Sequence, residues 1–255
     1  MISDTSSDTS SPEPGRIGST TAPTTPHAVI FDLDGTVVDP AGAITGGIAA
    51  ALRAHGIAVP PQPVLDAMVG PPLATSLLAV PGVTEDVLPR VVEHYRRGYL
   101  AHGMAESQVY PGIRDLLDDL REAGSLLAIA TSKPQPLAER LVHVQGLTAQ
   151  FDAICGSSPD EAVPHAGKGP IIGAALQSLG LQPDHPGVVM VGDRLFDVEG
   201  ARLNGLPCVG VRWGYAPEEE REAAGAARIV EDAADLRAAL GERLPAPWRL
   251  TDSRP

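Results

Sequence analysis

Five short runs in this 255-residue chain are apolar almost from end to end and rich in β-branched residues. They are "AVIFDL" (28–33), "SLLAIATS" (125–132), "FDAICGS" (151–157), "GVVMVGD" (187–193) and "LPCVGVRWG" (206–214), with a shorter "RIVED" (228–232) as a sixth. A strand that faces water on one side alternates apolar and polar residues, so strands without that alternation must be covered on both faces. Between them lie amphipathic stretches of helical length: "IRDLLDDLREAG" (113–124), "PQPLAERLVHVQG" (134–146), "GPIIGAALQSLG" (169–180) and "LFDVEGARLNG" (195–205). Several end in glycine, a common helix stop. Strand and helix in alternation mean a parallel sheet sandwiched by helices, an α/β fold of the doubly wound, Rossmann-like kind. Such a sheet binds ligands in the crevice beyond the carboxyl ends of its strands.

One interval breaks the rhythm. Between "DLDGT" (32–36) and "YPGI" (110–113) no convincing strand appears, while "AITGGIAAALRAHG" (43–56), "PVLDAMVG" (63–70) and "EDVLPRVVEHYRRGYLAHG" (85–103) read as helices. Residues 41–107 are therefore expected to form a helical cap inserted after the first strand, lying over the strand ends as a lid. The α/β core is then expected to comprise 27–40 and 108–245. Residues 1–26, Ser, Thr, Pro and Asp with little to bury, read as a disordered tail, and 246–255 as a C-terminal tail.

The strand ends carry a particular set of side chains. The first gives Asp32, Asp34 and Thr36; the second gives Thr131, Ser132 and Lys133; the fourth gives Asp193 and, one helical turn on, Asp197. Lys168 opens the helix between the third and fourth strands. Asp32 and Asp34 repel each other and have no local basic partner, so a cation or a reaction must justify them. Four carboxylates, an ammonium and a hydroxyl converging on one crevice are what phosphoryl transfer through an aspartyl intermediate requires. Hard oxygen donors suit Mg²⁺. One carboxylate can attack phosphorus while a second, kept protonated by its neighbours, acts as acid and then base. A hydroxyl and an ammonium hold the phosphoryl oxygens as charge spreads over them.

"DLDGT", "TS", Lys168 and "GDRLFD", in that order, resemble the four motifs of the haloacid dehalogenase-like phosphohydrolases. The resemblance implies Asp32 as nucleophile and Asp34 as general acid/base, with Thr131 and Lys168 binding the phosphoryl group. It implies Mg²⁺ held by Asp32, the Asp34 main-chain carbonyl and Asp193, with Asp197 outside them or acting through water. The Asp at the second position of "DLDGT" favours phosphatases within the superfamily. "VGPPL" (69–73), "VYPGI" (109–113), "ATSKP" (130–134) and "GVRWGYAPEEE" (210–220) resemble its phosphoglycolate phosphatase-related branch, most of all bacterial 5'-nucleotidase-like members. By that resemblance Gly35, Thr36, Ser132, Lys133, Pro71, Pro72, Arg96, Arg97 and Arg194 are candidate substrate contacts, with Tyr99 beside the two cap arginines. Arg194 is expected to pair with an acid at the cleft, and "GPPL" to be either a substrate-lining turn or a rigid hinge.

The substrate implied is a small phosphorylated metabolite, a nucleoside monophosphate first and phosphoglycolate second. Two rivals stand below it: transfer of the phosphoryl group to a protein tyrosine, and a non-catalytic regulatory role. The formal net charge of −13 argues against a nucleic acid polymer, whose phosphates demand a basic surface. No apolar run approaches the roughly 20 residues of a membrane helix. The opening residues lack a basic, apolar leader, so a cytoplasmic monomer or small homo-oligomer is expected. Cys155 and Cys208, each inside an apolar run, read as buried unpaired thiols. His94, His102, His143 and His165 share no metal-ligand spacing.

Overall fold

A computed structural model of the chain describes residues 26–158 and 167–242. The readings above for the N-terminal tail, for Pro159, His165 and their loop, and for the C-terminal tail lie outside these residues.

Eight strands are present among the described residues: β1 (Ala28–Phe31), β2 (Val38–Asp39), β3 (Gln108–Val109), β4 (Leu126–Pro134), β5 (Ala153–Ser157), β6 (Val188–Gly192), β7 (Cys208–Val211) and β8 (Arg228–Val230). Six of them form one sheet in the order β5-β4-β1-β6-β7-β8, all parallel. β1 and β6 are buried at every residue, which is why neither alternates in sequence. Alternate residues nevertheless serve different layers. Val29, Phe31, Leu127, Ile129, Val189 and Val191 pack into one core, whereas Ala28, Ile30, Ala128, Ala130, Val188 and Met190 pack into the other. A slip of one residue in β1 would exchange the two faces, so its register is strongly specified.

The helices are α1 (Ala43–Ala54), α2 (Gln62–Asp66), α3 (Leu73–Leu78), α4 (Leu88–Gly98), α5 (Met104–Glu106), α6 (Ile113–Glu122), α7 (Gln135–Val144), α8 (Gly169–Ser178), α9 (Leu195–Leu203), α10 (Glu220–Ala224) and α11 (Ala233–Leu240). α6, α7 and α11 cover the first core, and α8 and α9 the second. In α6 the buried residues Ile113, Leu116, Leu117 and Leu120 recur at helical spacing and form a single inward stripe.

Helices α1 to α5 all lie between β2 and β3, with one π-helical turn (Tyr99–Gly103) joining α4 to α5. Ile48, Leu52, Leu77, Val91 and Tyr99 from this segment join the first core. The sequence reading found no strand here, yet β2 and β3 pair antiparallel, Val38 with Val109 and Asp39 with Gln108. Two-residue strands are too short to show a period. α3 was also missed: it starts directly after the Pro71–Pro72 pair, which reads as a turn. Cys208 is buried as expected, but Cys155 is only half-buried because β5 is an edge strand. Neither forms a disulfide.

Candidate active site

β1 ends at Phe31, and the Asp32 amide then donates to Val191 O of β6 at 2.9 Å. The chain turns at once. Val37 N and Val38 N donate to Leu33 O at 3.0 and 2.9 Å, and Gly35 N donates to Val38 O at 2.8 Å. This loop holds Asp32 and Asp34 at the sheet's carboxyl edge. It needs glycine at position 35, where φ is 89° and a Cβ would stand 2.5 Å from Asp193 Oδ2. Thr131, Ser132 and Lys133 arrive on β4, where the pairing to β5 loses regular register between Ala130 and Pro134. Such an irregularity redirects side chains out of the sheet.

Two buried ammonium groups divide the carboxylates. Lys168, at the entry to α8, lies 2.7 Å from Asp32 Oδ1 and also pairs with Asp197. Asp197 in turn accepts from the Arg194 amide at 2.9 Å, closing the first turn of α9. Lys133 lies 2.9 Å from Asp34 Oδ2, donates to the Tyr99 hydroxyl at 3.2 Å, and sits 4.4 Å from the centre of the Tyr99 ring. Burial opposes charge on both lysines, but Asp197 and Asp32 hold Lys168 protonated, and Asp34 does the same for Lys133.

The carboxylates carry the opposite strain. Burial, followed by the charges of Asp32 and Asp197, pushes Asp193 well above the ordinary range. Burial also pushes Asp197 up to about 6 against the pull of Lys168. Burial raises Asp34 too, with Asp32 adding to the rise and Lys133 opposing it. Oxygens of Asp32, Asp193 and Asp197 lie within 4.8 Å of one another. Asp193 Oδ2 accepts from the Tyr215 amide at 2.7 Å, but its Oδ1 is buried with no hydrogen-bond partner among the described residues. Gly214 leaves this carboxylate room, since a Cβ there would stand 2.3 Å from Asp193 Oδ2. An all-oxygen donor set with an orphaned buried carboxylate oxygen fits a hard divalent cation. Both Asp197 oxygens are already engaged by Lys168 and the Arg194 amide, which sets Asp197 apart from the other two.

A cleft opens over this cluster, walled by Asp32, Asp34, Thr131, Ser132 and Lys133 on the sheet side. Ile44, Met68, Leu73 and Tyr95 from the helical segment, with Leu137 of α7, form its apolar wall. Pro71 lines this cleft, whereas Pro72 lines a smaller neighbouring cavity with Lys168 and Phe196. Thr36 is buried with its hydroxyl unpartnered among the described residues, and Trp213 Nε1 donates to its carbonyl at 3.1 Å.

Besides Gly35, Thr36 and Pro72, the three expected arginines also stand outside the cleft lining. Arg96 and Arg97 do not line the cleft, and Arg97 is exposed and pairs with Glu93 one helical turn away. Both follow Tyr95 on α4, and it is Tyr95 that faces the cleft. Arg194 does pair with an acid, Glu220, through Nε at 2.8 Å and Nη2 at 3.2 Å. Its Nη1 donates to the carbonyls of Ala67 and Val69, so the guanidinium clamps the loop before Gly70 and is not available to a ligand. The reading missed Glu220, Tyr95 and the Tyr215 amide. The Tyr215 amide lies within "GVRWGYAPEEE", but a backbone donor leaves no mark on residue type.

Residues 29–211 match the family model described as haloacid dehalogenase-like hydrolase. The chain is 38% identical over 218 residues to tyrosine-protein kinase PtkA of Mycobacterium tuberculosis, covering 85% of this chain and 73% of that one. It is 36% identical over 212 residues to a 5'-nucleotidase of Pseudomonas aeruginosa (83% and 94% covered). Against a phosphoglycolate phosphatase of Agrobacterium fabrum it is 35% identical over 237 residues (88% and 96%). A crystal structure of a predicted phosphatase from Clostridium acetobutylicum superimposes with a TM-score of 0.77 at 37% identity, covering 85% of this chain and 99% of that one. The chain belongs to the haloacid dehalogenase-like hydrolase family.

Proposed function

We propose that this chain is a phosphatase, a Mg²⁺-dependent phosphomonoester hydrolase working through an aspartyl-phosphate on Asp32. A nucleoside 5'-monophosphate is the first candidate substrate and phosphoglycolate the second. The observation that carries the reading is the grip on Asp32: Lys168 holds Oδ1 at 2.7 Å, and the residue lines the cleft beside Asp34 and Thr131. Oδ2 forms the bond to phosphorus as the bond to the leaving oxygen breaks, and Asp34 gives that oxygen its proton. Water then attacks the same phosphorus, Asp34 takes its proton, and the bond to Asp32 breaks to release phosphate. Burial favours the protonated Asp34 that the first step needs.

The Thr131 hydroxyl already accepts from the Lys133 amide at 3.2 Å, so its proton is free for a phosphoryl oxygen. Lys168 offsets charge on the same group. Asp32, the Asp34 main-chain carbonyl and Asp193 would hold Mg²⁺, with Asp197 acting through water. Bound there, the ion neutralises carboxylate and phosphoryl charge.

Residues 41–107 are the cap in this reading, over a core of 27–40 and 108–245. The wall they present is Ile44, Met68, Leu73 and Tyr95, with no arginine or histidine among the described residues lining the cleft. An aromatic, uncharged nucleoside suits that wall better than the second carboxylate of phosphoglycolate. The similarity to a tyrosine-protein kinase makes phosphotransfer to tyrosine the second reading. Among the described residues no helix is long and apolar enough to cross a membrane, and we read the enzyme as a cytoplasmic monomer or small homo-oligomer. The test is phosphate release from nucleoside monophosphates, phosphoglycolate, sugar phosphates and phosphotyrosine, with Mg²⁺ and with chelator. Metal-dependent release led by a nucleotide is expected. No release from any of them by folded, Mg²⁺-loaded protein would overturn the hydrolase reading.

A further inference from the structure

Asp34 is fixed by only one of its two carboxylate oxygens. Lys133 Nζ holds Oδ2 at 2.9 Å, whereas Oδ1 is buried without a hydrogen-bond partner among the described residues. The ammonium that does the fixing is itself shared. Its other partners are the Tyr99 hydroxyl at 3.2 Å and the Tyr99 ring face at 4.4 Å, and Tyr99 belongs to the helical segment, in the π turn after α4. Tyr99 is nearly fully buried and stacks on Tyr95, whose ring centre lies 5.7 Å away and which also lines the cleft. A chain of contacts therefore runs from the cleft wall through Tyr95 and Tyr99 to Lys133 and Asp34, across the junction of helices and sheet.

We propose that Lys133 and Tyr99 are positioning residues for the acid/base Asp34: Tyr99 presses the Lys133 ammonium onto Oδ2, which turns Oδ1 toward the leaving oxygen only when the helical segment is seated. The inference rests on the hydrolase reading above. A lysine that merely bound substrate phosphate would leave its ammonium protons free for it, but this one is occupied by Asp34 and roofed by an aromatic ring. An ammonium held by a carboxylate and a ring face at once has little freedom left, which is what orienting a neighbour demands.

The test uses leaving-group dependence, because general-acid catalysis matters only where the leaving oxygen needs a proton. The quantity read is kcat/KM, which reports events up to departure of the leaving group. For Lys133→Met we expect a fall of about 100-fold on an alkyl phosphomonoester such as glycerol phosphate but less than about threefold on 4-nitrophenyl phosphate. Tyr99→Phe keeps the ring and removes only the hydroxyl, so it should show the same pattern at about three- to tenfold. Lys133→Arg should restore part of the alkyl activity. Equal losses on both substrates, in either variant, would overturn the inference and make Lys133 a phosphate contact or a structural support. If Lys133→Met does not melt cooperatively, Tyr99→Phe decides alone. A wild-type enzyme that releases phosphate from neither of these substrates nor from any phosphomonoester of the panel above would instead overturn the hydrolase reading, and this inference with it.

Discussion

Lys168 and Lys133 are both buried ammonium groups paired with carboxylates, yet they belong to different parts of the molecule. Lys168 is held between Asp32 at the end of β1 and Asp197 in the first turn of α9. Lys133 is held between Asp34 of the sheet edge and Tyr99 of the helical segment. The first pairing draws on no residue of the helical segment, and the second draws on Tyr99. One region supplies a fixed electrostatic floor, and the other makes proton transfer conditional on closure over the substrate.

The comparison breaks most sharply at Asp32. Asp32→Asn should abolish turnover while leaving cooperative unfolding intact, as read by phosphate release and thermal melting; retained activity would remove Asp32 as nucleophile. Next comes Asp34→Asn, expected to slow kcat by about 10²–10⁴ with a much smaller change in KM. Equal changes in both would argue against its acid/base role.

The two lysines should then separate in stability. Lys168→Met leaves buried Asp32 and Asp197 without their cation, and denaturant titration should show a loss of about 3–5 kcal/mol. Lys133→Met should cost less, about 1–2 kcal/mol, because Asp34, already pushed toward its neutral form, can take up a proton. Equal losses would mean that both lysines are set in equally rigid surroundings.

The smallest effect is expected at Glu220. Although burial works the other way, hydrogen bonds from Arg194 and the Leu195 amide hold the Glu220 carboxyl below its ordinary 4.5. A folded-state value below the unfolded one means that the clamp stabilises above that ordinary value, with the contribution lost as pH falls through the lower folded value. Glu220→Gln should therefore lower the melting temperature slightly at pH 7, and the difference should shrink as pH falls below 4.5 and through the lower folded value. A constant difference across that range would assign the loss to packing.

Much of the sheet was legible because periodicity reports burial. Five of the six parallel strands fall within a run read from apolar composition and β4 extends two residues past its run, while Asp32, Asp34, Asp193 and Lys168 converge because parallel strands share one carboxyl edge. Strand order was not legible, since nothing in β5 states that it lies at an edge. That is why Cys155 was expected to be deeper than it is. The helical segment was legible as helices but not as a surface. Arg96 and Arg97 were chosen for charge, whereas helix phase gives the cleft to Tyr95. The clamp from Arg194 to Glu220 spans 26 positions and two elements, so only the three-dimensional arrangement discloses it.

The two-residue ladder of β2 and β3 has a consequence for how the chain assembles. β1 must find β4, whose residues pair as Ala28 with Leu126, across the whole helical segment. Once Asp39 meets Gln108, the chain still to be closed shrinks from roughly 100 residues to roughly 30, which lowers the closure entropy by about 1 kcal/mol. A seam of four residues thus shortens the search for the central strand pair, and a variant that frays it should fold more slowly than its loss of stability alone accounts for.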